Sequence, residues 1–309
     1  MPTHDFLKLI SNMQKITYTE IFYSLQGEGR WTGVPSVFFR TFGCNFRCRK
    51  FGRPRGEIIE GHNPEVTEII KMVEQDPERY REFRDLPLVT TGCDTYASIY
   101  PEFKRFNRQE TVDVISDRIH ALLPQGRWDQ GWNDDIHLVI TGGEPLLAYQ
   151  QLYPQLLDDC SRRGLRELTF ETNGTQELYP EVSRYLLEEF TKQGKDRDLL
   201  TFSVSPKLPG SGESWENAIQ PKVVKSYEML GYTYLKFVVS TREDVADAER
   251  AVGEYREAGF GGPVYLMPTG GVPQVYNLNT QEVARMAMER GWRYSPRLQV
   301  DIWRNEWGT

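Results

Sequence analysis

From about residue 110 onward, short apolar runs alternate with longer amphipathic ones, and this alternation constrains the fold of the 309-residue chain more than any other feature. Helical periodicity over 111–123, starting at a Thr cap, is followed by a strand at 136–141 (IHLVIT) and a helix at 147–162. Strand 166–171 (RELTFE), helix 179–192, strand 199–204 (LLTFSV) and helix 215–229 come next. Strand 233–239 (TYLKFVV), helix 243–258, strand 263–267 (PVYLM), helix 279–290 and a last strand near 297–302 complete the series. Strands separated by helices of this length pair in parallel through crossover connections. Upstream, 15–23 (KITYTEIFY) and 36–42 (SVFFRTF) are β-branched and aromatic and predict two further strands around a glycine-punctuated loop. The expectation is an α/β fold, a modified partial (βα) barrel of about six βα units, in one domain spanning 1–309. A doubly wound open sheet has the same periodicity and stands as the architectural alternative.

Residues 49–92 differ from this pattern. They open basic (RKFGRPRG), pass through a polar helix-like stretch near 64–84 and return at LPLVTTG. They read as an insertion on a surface loop, too polar to own a core. The net charge of −7 and pI of about 5.4 argue against a large nucleic-acid footprint. The N-terminus (MPTHDFLKLISNMQ) lacks the basic start and apolar run of a secretory signal. No stretch reaches the roughly 18 apolar residues of a membrane span. A cytoplasmic protein without a membrane or nucleic-acid partner is expected.

In parallel α/β folds, chemistry gathers at the C-terminal ends of the strands. Five short motifs fall there: Cys44 after the second strand, TGGEP (141–145), ETNGT (171–175), SPK (205–207) and MPTGG (267–271). Three of the four cysteines bear on the same rim. Cys44 and Cys48 are close in sequence, and Cys93 follows the insertion and opens Cys93-Asp94-Thr95. Thiolates are soft ligands suited to iron–sulfur clusters or zinc. A closed zinc site needs a fourth ligand, for which His62 is a candidate, whereas three thiolates on a cluster leave one iron open. Three unrelated buried cysteines are the remaining alternative. Cys160, inside the 147–162 helix, is expected in the core. His120 and His137 read as structural and His4 as part of a terminal tail.

The run Glu20-Ile21-Phe22-Tyr23-Ser24-Leu25-Gln26-Gly27-Glu28-Gly29, then Gly33-Val34-Pro35, then Phe38 to Asn45 (FFRTFGCN), resembles the opening of the 7-carboxy-7-deazaguanine synthase family of the radical-SAM superfamily. Cys93-Asp94-Thr95, TGGEP, ETNGT and SPK follow in the family's order, so the likeness covers roughly 18–300. The resemblance implies a lyase that converts 6-carboxy-5,6,7,8-tetrahydropterin to 7-carboxy-7-deazaguanine with loss of ammonia, in queuosine and deazapurine biosynthesis. It implies a partial (βα) barrel, a homodimer, and three cofactors: a [4Fe–4S] cluster, S-adenosylmethionine and Mg²⁺.

Residue by residue, the resemblance assigns Cys44, Cys48 and Cys93 to the cluster and the Thr95 hydroxyl to Mg²⁺. Gly142 and Gly143 would let backbone approach the methionine amine, with Glu144 as its charge partner. Ser205, Pro206 and Lys207 would meet the ribose or carboxylate end of the cofactor, and Met267, Pro268, Thr269 and Gly270 would pass beside the adenine. For the pterin, Leu25, Gln26 and Gly27 would supply hydrogen bonds, Arg40 a fork for the carboxylate, and Thr141 a contact to the ring. Glu28 is either catalytic or an anchor of its loop.

The chain departs from the pattern twice. The common CxxxCxxC spacing expects a cysteine where Phe51 stands, so Cys93 serves only across an enlarged loop. A terminal Gln-x-His-Lys segment is replaced by Leu298-Gln299-Val300-Asp301-Ile302. Finally, Arg47, Arg49, Lys50, Arg53 and Arg55 form a basic run beside the cysteines, either a solvated face or a dock for an acidic electron donor such as flavodoxin or ferredoxin.

Overall fold

Strands buried on both faces are the backbone of the molecule. In the computed structural model, which describes residues 14–131, 136–192 and 194–309, nine strands form a single sheet in the order β3-β1-β2-β4-β5-β6-β7-β8-β9. They are β1 (Lys15–Leu25), β2 (Pro35–Thr41), β3 (Arg108–Thr111), β4 (His137–Gly142), β5 (Leu168–Thr172), β6 (Leu200–Val204), β7 (Tyr232–Val239), β8 (Val264–Pro268) and β9 (Arg293–Tyr294). The N-terminal segment with His4 lies outside the described residues. β1 pairs antiparallel with β2 and β3, and every pairing from β2 through β9 is parallel.

The order of the parallel strands never reverses. A doubly wound sheet needs a reversal to place helices on both faces, whereas an unreversed series with crossovers of one hand puts them all on one side. The architecture is therefore the partial barrel. Helices α1 (Pro64–Gln75), α2 (Val112–Ala121), α3 (Tyr153–Arg162), α4 (Pro180–Tyr185), α5 (Trp215–Ala218), α6 (Pro221–Leu230), α7 (Arg242–Glu257), α8 (Pro273–Glu289) and α9 (Leu298–Trp303) complete it. Their boundaries follow local chemistry. Asn63 caps α1 by accepting from Glu65 N–H, with Pro64 in the first turn. Thr241 and Asp244 cap α7 reciprocally. Among the described residues no helix is long and apolar enough to cross a membrane.

Three sequence expectations give way. The stretch near 297–302 is helix α9, not a strand; of its alternating Leu298, Val300 and Ile302, only Val300 is buried, so alternation without a second buried face does not make a strand. The final strand is the two-residue β9 before it. The polar stretch 108–111 pairs with β1 as an edge strand that apolar periodicity could not mark. The 49–92 segment contributes to a core of its own. Val66, Ile69 and Val73 line one face of α1 and pack with Tyr80, Phe83, Leu86 and Val89. Tyr96, Tyr100 and Phe103 join them, and Trp307 closes the cluster from the other end of the chain, its indole N–H donating 2.8 Å to Leu86 O. A minority of apolar residues suffices because the rest of the chain supplies the other wall. Cys160 is buried in the main core as expected, beside Ser116.

Alternation along the parallel strands sorts the molecule into two sides. Val37 and Phe39, Leu138 and Ile140, Phe202 and Val204, and Leu235, Phe237 and Val239 enter the main core against the helices. Their neighbours Phe38, Arg40, Thr141, Ser203, Lys236 and Val238 face a cavity on the opposite side.

Candidate active site

The cavity is ringed by the ends of the parallel strands. β2 delivers Cys44, β4 delivers Gly142 and Gly143, β5 Asn173, β6 Ser205 and Lys207, and β8 Thr269 and Gly270. The loop end 92–95 closes one side, and the segments 25–28 and 297–299 close another. Of the residues singled out in the sequence, Leu25, Gln26, Gly27, Arg40 and Thr141 line the cavity, as do Cys48, Cys93, Thr95 and Met267. Glu144, Pro206 and Pro268 do not.

The three thiols share one end. Cys44 and Cys93 pack against a small apolar cluster of Phe46, Cys48 and Ala218, with Phe51 alongside. The Thr95 hydroxyl lies 3.3 Å from Cys93 Sγ, and the Phe46 N–H donates 3.4 Å to Cys44 Sγ. Burial pushes all three thiols upward, Cys44 to about 12 with help from the Glu144 charge. Lys207 is the cation that pulls in the other direction on each of them. Its ammonium is fixed by Ser205 O at 2.8 Å and Ser205 Oγ at 3.1 Å.

Gly142 and Gly143 have a reason inside the fold. Gly142 holds φ +146°, and a Cβ there would press into the Thr41 backbone; one on Gly143 would overlap Gly43 O and Cys44. The end of β4 thus packs backbone to backbone on the loop that carries Cys44, and the Glu144 N–H donates 2.7 Å to Gly43 O. The Glu144 carboxylate turns away from the cavity. It accepts from Leu146 N–H (3.0 Å), the Thr172 hydroxyl (2.8 Å) and Asn173 N–H (2.7 Å), fixing the turn after β5.

Another part of the cavity wall is ionic, and it meets the thiol loop at Asp94, the residue after Cys93. Glu28 pairs with Lys236 and with Arg297 (3.1 Å) and accepts from Gln299 Nε2 at 2.7 Å. Arg297 also reaches Asp94 and Gly270 O, joining four loops through one guanidinium. Burial alone would raise the Glu28 carboxyl, but Lys236 and Arg297 outweigh it and hold it down to about 2. Lys236 is pushed up: burial opposes its charge, and Glu28 and Glu171 override burial. Nearby, Gln26 donates 3.1 Å to Glu171 and accepts from Glu28 N–H at 3.0 Å. Arg40 lies along Glu20 (Nε–Oε1 2.8 Å) and faces the cavity.

Sequence reasoning missed Lys236 and Arg297 as cavity residues, and gave Asp94 and Glu171, which lie in motifs placed on the rim, no role of their own. Lys236 had a signal, a lone cation inside an otherwise apolar strand. Arg297 had none. His62 pairs with Glu102 at 3.0 Å, stacks edge-on against Tyr100 and is not part of the cavity wall. Two of the five residues of the basic run are paired with carboxylates. Arg55 meets Glu243, Asp244 and Asp247, Arg53 meets Glu57, and Arg47 turns inward to the Cys44 and Phe46 carbonyls.

No family model matches the chain. Whole-length relatives do. The 7-carboxy-7-deazaguanine synthase of Halobacterium salinarum is 29% identical over 307 residues, covering 92% of this chain and 89% of the relative. That of Pyrobaculum aerophilum is 26% identical over 97% and 100%, and that of Rhodopirellula baltica 27% over 94% and 88%. Along nearly its whole length the chain is similar to 7-carboxy-7-deazaguanine synthases. The crystal structure of QueE from Escherichia coli has the same fold, with a TM-score of 0.50 at 18% identity over 96% of this chain and 98% of that one.

The donor set fits the cluster that this family implies. Thiolates around an iron–sulfur cube bind separate irons, so they should line a hollow and not converge on a point. Here Cys44, Cys48 and Cys93 line one cavity and share one small apolar cluster. Cys48 adopts φ +48°, a left-handed conformation rare outside glycine, within the loop that brings it there.

Proposed function

We propose that the chain is a 7-carboxy-7-deazaguanine synthase, a radical-SAM carbon–nitrogen lyase that turns 6-carboxy-5,6,7,8-tetrahydropterin into 7-carboxy-7-deazaguanine with release of ammonia. The observation that carries this reading is the shared cavity. Thiols from positions 44, 48 and 93 line it together with an amide, a guanidinium and a closed ionic network, in a chain similar to these synthases along nearly its full length.

When bound, the [4Fe–4S] cluster and S-adenosylmethionine would together supply radical chemistry. The chain's own residues bind, orient and shield. Cys44, Cys48 and Cys93 would hold the cluster. Lys207 and Ser205 would meet the ribose or carboxylate end of the cofactor, and the backbone at Gly142–Gly143 would admit its amine. Thr269 and Gly270 would flank the adenine. Arg40 presents a fork to the pterin carboxylate, its guanidinium held in place by Glu20. Leu25, Gln26 and Gly27 would meet the heterocycle, and Thr95 would give one oxygen to Mg²⁺, which tolerates few protein ligands. The protein acts in the cytoplasm as a homodimer, reduced by a donor of the flavodoxin or ferredoxin type.

Anaerobic reconstitution with iron and sulfide, followed by reduction in the presence of S-adenosylmethionine, Mg²⁺ and the carboxytetrahydropterin, tests the reading. The expected product has the mass and absorbance of a carboxydeazaguanine. An iron-loaded, reduced protein that cleaves S-adenosylmethionine but leaves the pterin intact would overturn the substrate. A colourless protein that takes up zinc in place of iron would overturn the chemistry.

A further inference from the structure

The thiol end carries a feature that the family's reaction does not account for. Glu213 lies in the loop before α5, far in sequence from the cysteines. One of its carboxylate oxygens accepts from two successive backbone N–H groups, Arg47 at 2.9 Å and Cys48 at 2.7 Å. The same loop grips the turn again, since Lys50 N–H donates 3.0 Å to Ser211 O. The loop is itself locked. The Ser211 hydroxyl donates 2.7 Å to Leu208 O and accepts from Glu213 N–H at 3.2 Å. The helix that follows supplies Ala218, against which Cys48 packs.

Two successive N–H groups aimed at one point form a nest for a negative charge, and a left-handed residue beside them is the geometry that makes one. Cys48 is that residue, at φ +48°. For a side chain with a Cβ this conformation is strained and persists only when surrounding contacts impose it. Glu213 supplies the acceptor for both N–H groups here. Without an acceptor, Cys48 N–H would be a buried donor with no partner, and the turn would relax.

We infer that Glu213 is a positioning residue for the iron–sulfur site: its carboxylate holds the Arg47–Cys48 backbone in the turn that faces the Cys48 sulfur toward the cavity. This rests on the reading of Cys44, Cys48 and Cys93 as cluster ligands. Glu213 does not itself line the cavity, so it acts through Cys48.

Three variants separate geometry from charge. Glu213→Gln keeps an acceptor oxygen at the same reach and removes the charge. Glu213→Asp keeps the charge and withdraws it from the turn. Glu213→Ala removes both. The measurements are iron per chain after anaerobic reconstitution, the rate of iron loss to a chelator, and, in the metal-free protein, the alkylation rate of Cys48 read by mass spectrometry against Cys160. Glu213→Gln is expected to retain iron like the parent. Glu213→Asp and Glu213→Ala are expected to lose it about 10–100-fold faster, the usual effect of removing a support behind a metal ligand. Cys48, but not Cys160, should then be alkylated faster in the metal-free protein. Should the alanine variant not fold, the aspartate and glutamine pair decides alone. Parent-like iron retention and Cys48 protection in Glu213→Asp would overturn the proposal, as would a glutamine variant as leaky as the alanine one. If the parent itself takes up no iron, the cluster reading fails instead, and the metal-free alkylation comparison still tells whether Glu213 holds the turn.

Discussion

The two ends of the cavity are built on opposite principles. At the ionic end each buried charge is answered within the chain: Glu28 by Lys236 and Arg297, and Arg297 again by Asp94. At the thiol end, burial keeps Cys44, Cys48 and Cys93 protonated, and their sulfurs are held by apolar packing against Phe46 and Ala218. Paired charge makes a rigid wall that gains nothing from a further ion. A pocket of soft, protonated donors takes on its full chemistry only by exchanging protons for a metal. The difference teaches where to expect a metal and where to expect fixed scaffolding, and each experiment below strikes one end to see whether the other notices.

The largest effect should follow from replacing a thiol. Cys93→Ser is expected to drop iron and sulfide below the parent's inventory and turnover to background. It removes no charge from the ionic network, so the acid behaviour there should change only if the loop carrying Asp94, the next residue and a partner of Arg297, moves. Iron and sulfide analysis beside an acid unfolding titration checks both halves. Loading the parent should also release protons and weaken as pH falls, since each thiol must ionise to bind.

Glu28→Gln strikes the other end. It leaves Lys236 and Arg297 buried with one carboxylate fewer, and breaking a buried pair from one side costs roughly 3–5 kcal/mol. The pH signature has a definite sign. The folded-state carboxyl sits at about 2, below the unfolded value of about 4.3, so its contribution is complete above the higher value and fades as pH falls toward the lower one. The parent should therefore lose stability across that window and the glutamine variant should lose less of it. Denaturant unfolding between pH 5 and the acid limit measures this; equal slopes in the two proteins would mean that Glu28 is not the group that titrates.

How visible each end was in the sequence follows from the same contrast. The thiol end was legible because cysteines are few and their neighbours FGCN and CDT are distinctive. The strand ends were legible because period-two alternation marks which residues face the helices. The ionic end was mostly hidden. Lys236 could be noticed as a cation in TYLKFVV, but Arg297 lies where leucine–valine–isoleucine alternation predicts a strand, and its three partners are each distant in sequence. Charge pairing across the fold leaves no periodic trace. The core of the 49–92 segment was hidden for a related reason. Its apolar residues look too few for a core until Trp307, more than two hundred residues away from Leu86, is set against them.

Trp307→Ala tests whether packing holds the thiol end as charge holds the other. The indole meets Phe83 and Tyr96 edge-on at 5.5 and 5.9 Å, and that cluster leans on Cys44 and Cys93. Truncation should cost about 3–5 kcal/mol within this cluster. Hydrogen exchange should rise across 64–89 and iron retention should weaken, with the sheet unaffected. Faster exchange in β4–β8 as well would show one cooperative body and erase the distinction.

The smallest effect is expected at Arg55, which faces three carboxylates but near solvent, its side chain 30% exposed against 9% for Arg297. Exposed ion pairs contribute about 1 kcal/mol or less, because water screens what it can reach. Arg55→Ser should therefore shift the denaturant midpoint only slightly, and less still at high salt. It should also uncover Glu243, Asp244 and Asp247, so reduction by an acidic donor protein should slow at low salt if that donor approaches near this corner. The decisive comparison is with Glu28→Gln. If removing Arg55 destabilises the fold as much as removing the Glu28 charge, burial is not what gives the ionic end its weight, and the contrast between the two ends of the cavity would have to be sought in geometry alone.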